Sequence, residues 1–538
     1  MCGIFAYISD KSINDTARAK LKQFGMKCSH RGPDNTQIKV MDKIYLMFHR
    51  LMINDVSERG NQPISHPNDE NLVLICNGEI YNYKELAHEN GFKLKSSSDC
   101  EIILHMYKKY GIEETVKHLD GVFAFVLVDK VNDKIWVARD PFGVRSLFMG
   151  TDGGNTCIAS ELKSIVDSTD KLVPEVTQFP PGHYYDVGNQ TATRYYDYIY
   201  PTNPDTNKEN IMKNIRALLI QATKKRLLSE RPIGCLLSGG LDSSLIAGIL
   251  CKLYPANKLK TFSIGLENSV DLIHARLVAE HLGTDHHEVI VTEEEMLGTL
   301  EEDIIMIESY DTTTVRASTP MYILSKYIRD NTDVVVIFSG EGSDEASGSY
   351  MYFHNAPNKD EFKKETIRLM EDLCYFDVLR CDKSTAGAGL EVRVPFLDKD
   401  FLNYYLSIDP ELKMPGSFHI EKYLLRKAFE EDKLIPDKVL WRVKEGMSDG
   451  VSSKKKAWYE IIQENVAKNM SDREFVILQS KYSFNPPMIK ESMYYREIFN
   501  DYYQDCNKTI PYYWLPKWSG DIVEPSARVL NCYDKDKL

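Results

Sequence analysis

No stretch of this chain is long and apolar enough to span a bilayer. The longest apolar runs, 121–128 and 334–338, have the length of buried strands. Asp10, Lys11 and Asp15 interrupt the start before any sufficient apolar segment, so no signal peptide is expected. The 11 cysteines include no Cys-x-x-Cys pair, and their number is odd, which argues against a zinc site and a disulfide scaffold. Positive charge is short as well: 66 Lys and Arg against 79 Asp and Glu leave a formal charge of −13. That excludes the basic field of a nucleic-acid surface, although turns and helix ends can still bind phosphate on an acidic protein. Repeats and low-complexity tracts are absent. The expectation is a soluble cytoplasmic protein in a reducing compartment, with no nucleic-acid or membrane partner. At 538 residues it is too long for one core, and about 150 residues per domain suggests roughly two to four domains.

The pattern changes along the chain. Short strand-like segments at 72–75, 122–128 and 135–138, separated by Asn, Gly and Asp turns, predict an α+β unit with antiparallel sheets over residues 1–205. Tyr200-Pro201-Thr202-Asn203-Pro204-Asp205 reads as a linker. Ile211, Ile215, Leu218, Leu219 and Ala222 then mark one buried face of a helix over 208–228. Beyond it, strands at 233–237, 260–265, 287–291 and 334–338 alternate with helices at 243–253, read as amphipathic, and 271–282. That alternation predicts an α/β domain over 206–538 with a parallel sheet, ligands at the carboxyl ends of its strands, and a helical part after about 355. The segment past 505 is polar with scattered aromatics and carries no assignable pattern.

The chain opens Met1-Cys2-Gly3-Ile4-Phe5. Removal of Met1 would leave a terminal cysteine that carries a nucleophile and, in its own amine, a base. A chance cysteine is the plain alternative for residue 2 alone. Four further segments stand beside it: His30-Arg31-Gly32-Pro33-Asp34, Asn77-Gly78-Glu79-Ile80-Tyr81-Asn82, Ser98-Asp99-Cys100-Glu101 and Arg139-Asp140-Pro141-Phe142-Gly143. Together they closely resemble the glutaminase domain of class II glutamine amidotransferases, which are N-terminal nucleophile hydrolases with helices on both sides of antiparallel sheets. The resemblance implies that Cys2 attacks glutamine. It implies that Asn77 and Gly78 donate to the oxyanion, that Arg50 holds the substrate carboxylate, and that Asp99, with Glu79 nearby, holds its ammonium. Two departures stand out. Phe48-His49-Arg50 replaces the usual His-x-Arg, which bears on how Arg50 is buttressed. Ser146 replaces the usual proline after Gly143-Val144-Arg145.

Leu236-Leu237-Ser238-Gly239-Gly240-Leu241-Asp242-Ser243-Ser244 joins a predicted strand to a helix. Two glycines admit a phosphate chain, and hydroxyls and a helix N-terminus offer donors. Asp242 would repel phosphate unless a Mg²⁺ lay between them. A capped helix start explains a lone Ser-Gly-Gly equally well. The full string, however, is similar to the signature of PP-loop ATP pyrophosphatases, and no Gly-Lys-Ser/Thr follows as a Walker A loop requires. Ser339-Gly340-Glu341-Gly342-Ser343-Asp344-Glu345, residues 312–318, 391–398 and Trp441-Arg442-Val443-Lys444-Glu445 match asparagine synthetases in order. The resemblance implies ATP as substrate, with Asp242 and Asp344 on Mg²⁺ and Ser238, Gly239, Gly240, Ser243 and Ser244 cradling phosphate. Leu237, Ile264, Ser339 and Gly340 would meet the nucleoside, Glu341 would assist ammonia attack, and Lys444 would stabilise the adenylation transition state. It also implies an internal ammonia route and leaves a homodimer open. One further departure, Ala346-Ser347-Gly348-Ser349-Tyr350 in place of a Gly-Gly-Tyr run, strains the backbone only if Ser349 needs positive φ. His286-His287 points to opposite strand faces and is not expected to bind metal.

Two rivals share this pattern. A β-lactam-forming or other amide-forming ligase has the same plan, but Cys2 counts against it. A silent nucleotide-binding protein is motivated by the 347–349 departure. Cys2→Ala is expected to abolish glutamine-dependent synthesis and to keep synthesis from added ammonium salts. Pyrophosphate release in the two conditions measures this, and loss of both activities would mean that the two centres are not separable.

Overall fold

The computed structural model describes residues 1–255, 258–418, 420–453 and 455–532. Residues 533–538 of the unassigned tail lie outside it. Two six-stranded antiparallel sheets form the first half. One runs Glu175–Gln178, Phe148–Thr151, Thr156–Ala159, Gly3–Ile8, Ile44–Arg50, Asn35–Met41. The other runs Thr191–Arg194, His183–Asp186, Lys134–Arg139, Gly121–Asp129, Asp69–Ile80, Ile64–His66.

Strand Gly121–Asp129 explains the layering. It is apolar at both parities, so it must be covered on both faces. Ala124, Val126 and Val128 meet Ile4, Ala6, Leu46 and Phe48 of the facing sheet. Phe123, Phe125 and Leu127 meet helix Glu101–His118 through Ile103, Leu104 and Val116. On the outer face of the first sheet, Phe5 and Met47 pack with Leu21 and Phe24 of helix Asp15–Gly25. The result is a sheet-on-sheet sandwich with helices outside, as the α+β reading expects.

The segment 200–205 runs against the second half, with Asn203 N–H donating to the Ser407 carbonyl at 2.7 Å. Asn207 then caps helix Lys208–Lys225 by accepting from the Glu209 and Asn210 amides. The helix stops three residues short of the expected end. Arg226 there leaves helical geometry and buries its guanidinium on Asp398 at 2.7 Å.

A five-stranded all-parallel sheet builds the second half, in the order Asp285–Val291, Lys260–Leu266, Ile233–Leu236, Val336–Phe338, Glu391–Arg393. The chain winds outward from Ile233–Leu236 to one edge and returns on its other side. The switch point therefore lies between Ile233–Leu236 and Val336–Phe338, where open parallel sheets place ligands. One strand is additional to the sequence reading and one expectation changes. Residues 391–393, matched in sequence but not assigned to a strand, form an edge strand whose Glu391 and Arg393 turn toward the first half. Helix Leu241–Leu253 is not amphipathic: residues 241–250 are all buried, because Leu434 and Ile435 cover the face that carries Gly248.

Candidate active sites

The first cluster lies where the two antiparallel sheets meet the second half. Cys2 precedes strand Gly3–Ile8, which pairs with Ile44–Arg50, and its half-buried Sγ accepts from the Leu51 amide at 3.4 Å. The Arg50 guanidinium donates to Ser57 O at 2.7 Å, Asn61 Oδ1 at 2.8 Å, Asn54 O at 3.4 Å and the Asp55 carbonyl, and to no carboxylate among the described residues. Gly60 allows this, since a Cβ there would stand 2.1 Å from Arg50 Nη2. His49 points away, bonded to Thr36 and Gly25, so the departure at 48–49 leaves the support of Arg50 to the 54–61 loop.

Asn77 Nδ2 is buried without a hydrogen-bond partner, and such an orphaned donor is costly unless something docks on it. Gly78 is required by packing, because a Cβ would meet the Val122 carbonyl at 2.5 Å. Asp99 accepts the Ile80 amide at 2.6 Å, and burial pushes its carboxyl up to about 6. Glu79, expected near the ammonium site, is engaged by other groups of the protein. It accepts from Asn54 at 2.5 Å, stands 3.5 Å from Arg393 of the second half, and is raised well above the usual range by burial and then by Glu391 and Asp99.

Met1 is fully buried. Its amine donates to the Leu390 carbonyl at 2.9 Å, and its sulfur lies against Arg145. Burial pushes that amine down to about 5 and the Cys2 thiol up to about 11, so with Met1 attached Cys2 is a poor nucleophile.

The second cluster surrounds a cavity of about 240 Å³ at the switch point. Leu237, Ser238, Gly240, Asp242, Ser243 and Ile264 line it from one side, and Ser339, Gly340, Glu341, Asp344 and Lys444 from the other. Gly239 does not line it. Gly239 takes φ +71° and lets helix Val270–Leu282 approach, since a Cβ would stand 2.3 Å from the Ala275 amide. Ser244 is buried beneath the turn, its hydroxyl unpartnered. Gly340 brings the two turns together, with a Cβ there only 2.8 Å from the Ser243 amide.

Asp242 and Asp344 converge on one ammonium, that of Lys422, at 2.5 and 2.6 Å. Lys444 reaches the other oxygen of Asp344 at 2.5 Å. Against the upward push of burial, these two lysines hold Asp344 well below the usual carboxylate range. Glu341 is raised by burial despite Arg380, which grips it at 3.1 and 2.8 Å. Ser349 keeps an ordinary φ, the positive value falling on Gly348. Its hydroxyl donates to Asp344 at 2.5 Å, so the departure at 346–350 supports the carboxylate. His286 bonds to Thr261 and Ser263, and His287 to Tyr327.

Lys422 and Arg380 escape sequence reasoning: each is a lone cation in a helical region, and only folding brings it to the turns. Helix Asp377–Ala386 joins the two clusters. Arg380 touches Glu341, while two residues on Asp382 accepts from Arg31 at 2.7 Å and from Ser146 at 3.0 Å. Arg31 in turn holds the Cys2 carbonyl at 2.9 Å. A proline at 146 would offer no such donor.

Family comparison agrees with this two-centre arrangement. A glutamine amidotransferase domain model matches residues 1–176, and an asparagine synthase model matches 214–367 and 354–525. A Gallus gallus asparagine synthetase (glutamine-hydrolyzing) is 45% identical, with 99% of each chain covered. Those from Bos taurus and Homo sapiens are 43% and 44% identical at the same coverage. The chain belongs to the glutamine-hydrolysing asparagine synthetase family.

Proposed function

We propose that this enzyme converts aspartate, glutamine, ATP and water to asparagine, glutamate, AMP and pyrophosphate through a β-aspartyl adenylate. The observation that carries the reading is the helix that holds Glu341 through Arg380 and the Cys2 neighbourhood through Asp382. Contacts to both centres from residues two apart on one rigid element suit a reaction that makes ammonia at one centre and uses it at the other.

At the first centre, loss of Met1 gives Cys2 a free amine that can take the thiol proton through water. The thiolate attacks the glutamine amide. The orphaned Asn77 amide and the Gly78 N–H receive the oxyanion, a role worth about 2.7–4 kcal/mol for one preorganised donor. Arg50, spared from any carboxylate, takes the substrate carboxylate. Asp99, a buried carboxylate, takes its ammonium, with Glu79 adding negative potential. The thioester then hydrolyses to glutamate. The volume that Met1 vacates is bounded by Arg31, Arg145 and the Leu390 carbonyl, so ammonia released there faces the second half and not bulk water.

At the second centre, Ser238, Gly240 and Ser243 cradle the phosphates at the start of helix Leu241–Leu253, with Gly239 and Ser244 shaping the turn behind them. Leu237, Ile264, Ser339 and Gly340 contact the nucleoside. Asp242 and Asp344 fit a magnesium ion: they already converge on a single cation and are hard oxygen donors, as that ion requires. Held by Asp242 and Asp344, such an ion would supply charge neutralisation for the leaving pyrophosphate. Lys444 and Lys422 add positive charge as the aspartate carboxylate attacks the α-phosphorus. Glu341 orients ammonia and receives its proton as it attacks the adenylate. The 11 cysteines are all free, which suits a reducing, cytoplasmic setting. Among the described residues no helix is long and apolar enough to cross a membrane.

Mixing the enzyme with ATP, aspartate and glutamine is expected to yield AMP, pyrophosphate and asparagine in equal amounts, followed by chromatography. ADP and phosphate, or pyrophosphate release indifferent to aspartate, would overturn the reading. A second expectation concerns pH. Asp99 binds an ammonium only when ionised, and burial pushes its carboxyl up to about 6. Protonation as pH falls through that value removes the contact. The KM for glutamine should therefore rise about tenfold per pH unit below it. Asp99→Asn should raise KM at every pH and flatten the profile. A wild-type KM constant between pH 5 and 8 would contradict the assignment.

A further inference from the structure

The tail past residue 505, patternless in sequence, covers one side of the nucleotide cavity. Trp514 packs edge-on to Tyr350 and Tyr352, each at 6.2 Å between ring centres. Leu530 is buried among Met351, Tyr352, Phe353 and Phe362. Trp514, Ser526, Ala527 and Leu530 line the cavity itself. An ionic clamp fixes the approach of this segment: buried Arg316 grips Glu524 at 2.6 and 3.0 Å while also holding Glu491 at 2.7 and 2.6 Å.

A second clamp reaches the chemistry. Arg528 donates to the Glu445 carboxylate at 2.7 Å and to the carbonyls of Asp449 and Ser453 at 2.9 and 3.3 Å. Ser526 adds a hydrogen bond to the Asp449 side chain at 3.1 Å. Glu445 follows Lys444 directly, and its side chain is 1% exposed. From the opposite side Glu445 accepts from Arg442 at 3.3 Å. Arg442 also holds the Gly239 carbonyl and Asp271, each at 3.0 Å. The backbone amide of Lys444 donates to Glu421 at 2.7 Å. The turn that presents Lys444 to Asp344 is thus held by the phosphate turn on one side and by the tail on the other. A buried carboxylate that loses a guanidinium partner must move or neutralise, and either change displaces Lys444.

We propose that Arg528 is a positioning residue for adenylation: from the tail it fixes Glu445 and the 449–453 backbone, and so aims the Lys444 ammonium at Asp344 and the phosphates. This rests on the reading of Lys444 as the cation that stabilises the transferring charge. Arg528 is not among the residues that line the cavity, and Cys2 belongs to the other cluster, so glutamine hydrolysis should not depend on Arg528.

Pyrophosphate release with ATP and aspartate distinguishes the cases. The full chain is compared with Arg528→Gln, Arg528→Lys, Lys444→Gln and the Arg528→Gln/Lys444→Gln double variant. Arg528→Gln should lower kcat about 100-fold, the scale of a small misplacement of a reacting group, with much less change in the KM for ATP and with parental glutamine hydrolysis. Arg528→Lys should recover part of the loss. In the Lys444→Gln background Arg528→Gln should cost nothing further, because residues that act through one group are non-additive. Multiplicative losses in the double variant, or a parental kcat for Arg528→Gln, would overturn the proposal. Should Arg528→Gln fail to fold, Arg528→Lys carries the same comparison in both backgrounds. If Lys444→Gln itself keeps the parental kcat, the role of Lys444 falls first; if Lys444→Gln is crippled and Arg528→Gln is not, only the present inference falls.

Discussion

Ammonia is a nucleophile only while unprotonated, and water at neutral pH protonates it. A protein that makes ammonia at one centre and consumes it at another must therefore hold the two centres in fixed contact. Here that contact is a buried seam of charge. Arg31 pairs with Glu161 at 2.5 Å and with Asp382 at 2.7 Å. Arg145 faces Asp382 and Glu391 at 3.6 and 3.5 Å. Arg393 pairs with Glu391 at 2.9 Å and faces Glu79. Lys383 joins Glu161 at 2.8 Å to Glu308. Buried ion pairs of this kind add little net stability, yet breaking one partner costs about 3–5 kcal/mol. Their value is geometric, since only one docking of the halves satisfies them all.

Met1 occupies the centre of that seam, and its presence decides the state of Cys2. With Met1 attached, the thiol is buried, high in pKa and without a neighbouring base. Without it, the same residue would have its own amine beside it. The far end of helix Asp377–Ala386 reaches Glu341, where the two Gly-containing turns meet. There Asp242 and Asp344 converge on Lys422, and Lys444 takes the other oxygen of Asp344, an electrostatic counterpart of the seam. The aromatic tail shields this pocket from solvent, which strengthens every charge interaction inside it.

Much of this was legible in the sequence because it is local. Strand Gly121–Asp129 announces double burial by its unbroken apolar run, and the Ser-Gly-Gly and Ser-Gly-Glu-Gly turns follow short apolar strands as parallel-sheet ligand turns do. Linear reasoning fails where partners are distant in sequence. Lys422 meets Asp242 across 180 residues and Arg528 meets Glu445 across 83. Neither has a local pattern that sets it apart from a surface charge. Helix Leu241–Leu253 reads as amphipathic because Ser243 and Ser244 look polar in sequence, yet both are buried, Ser243 on the cavity lining and Ser244 beneath the turn. Strand Glu391–Arg393 was invisible as a strand because its charges serve the seam. Ser146 and Ser349 read as losses from a family pattern, whereas each donates a hydrogen bond to a carboxylate at one of the two centres.

The central claim is that nitrogen passes from Cys2 to Glu341 inside the protein. It is tested by supplying glutamine labelled with ¹⁵N in the amide, together with an excess of unlabelled ammonium, and measuring the isotope in asparagine early in the reaction. The account predicts asparagine labelled well above the ratio in the bulk ammonium pool. Label diluted to the bulk ratio would contradict it, because the nitrogen would then have passed through solvent.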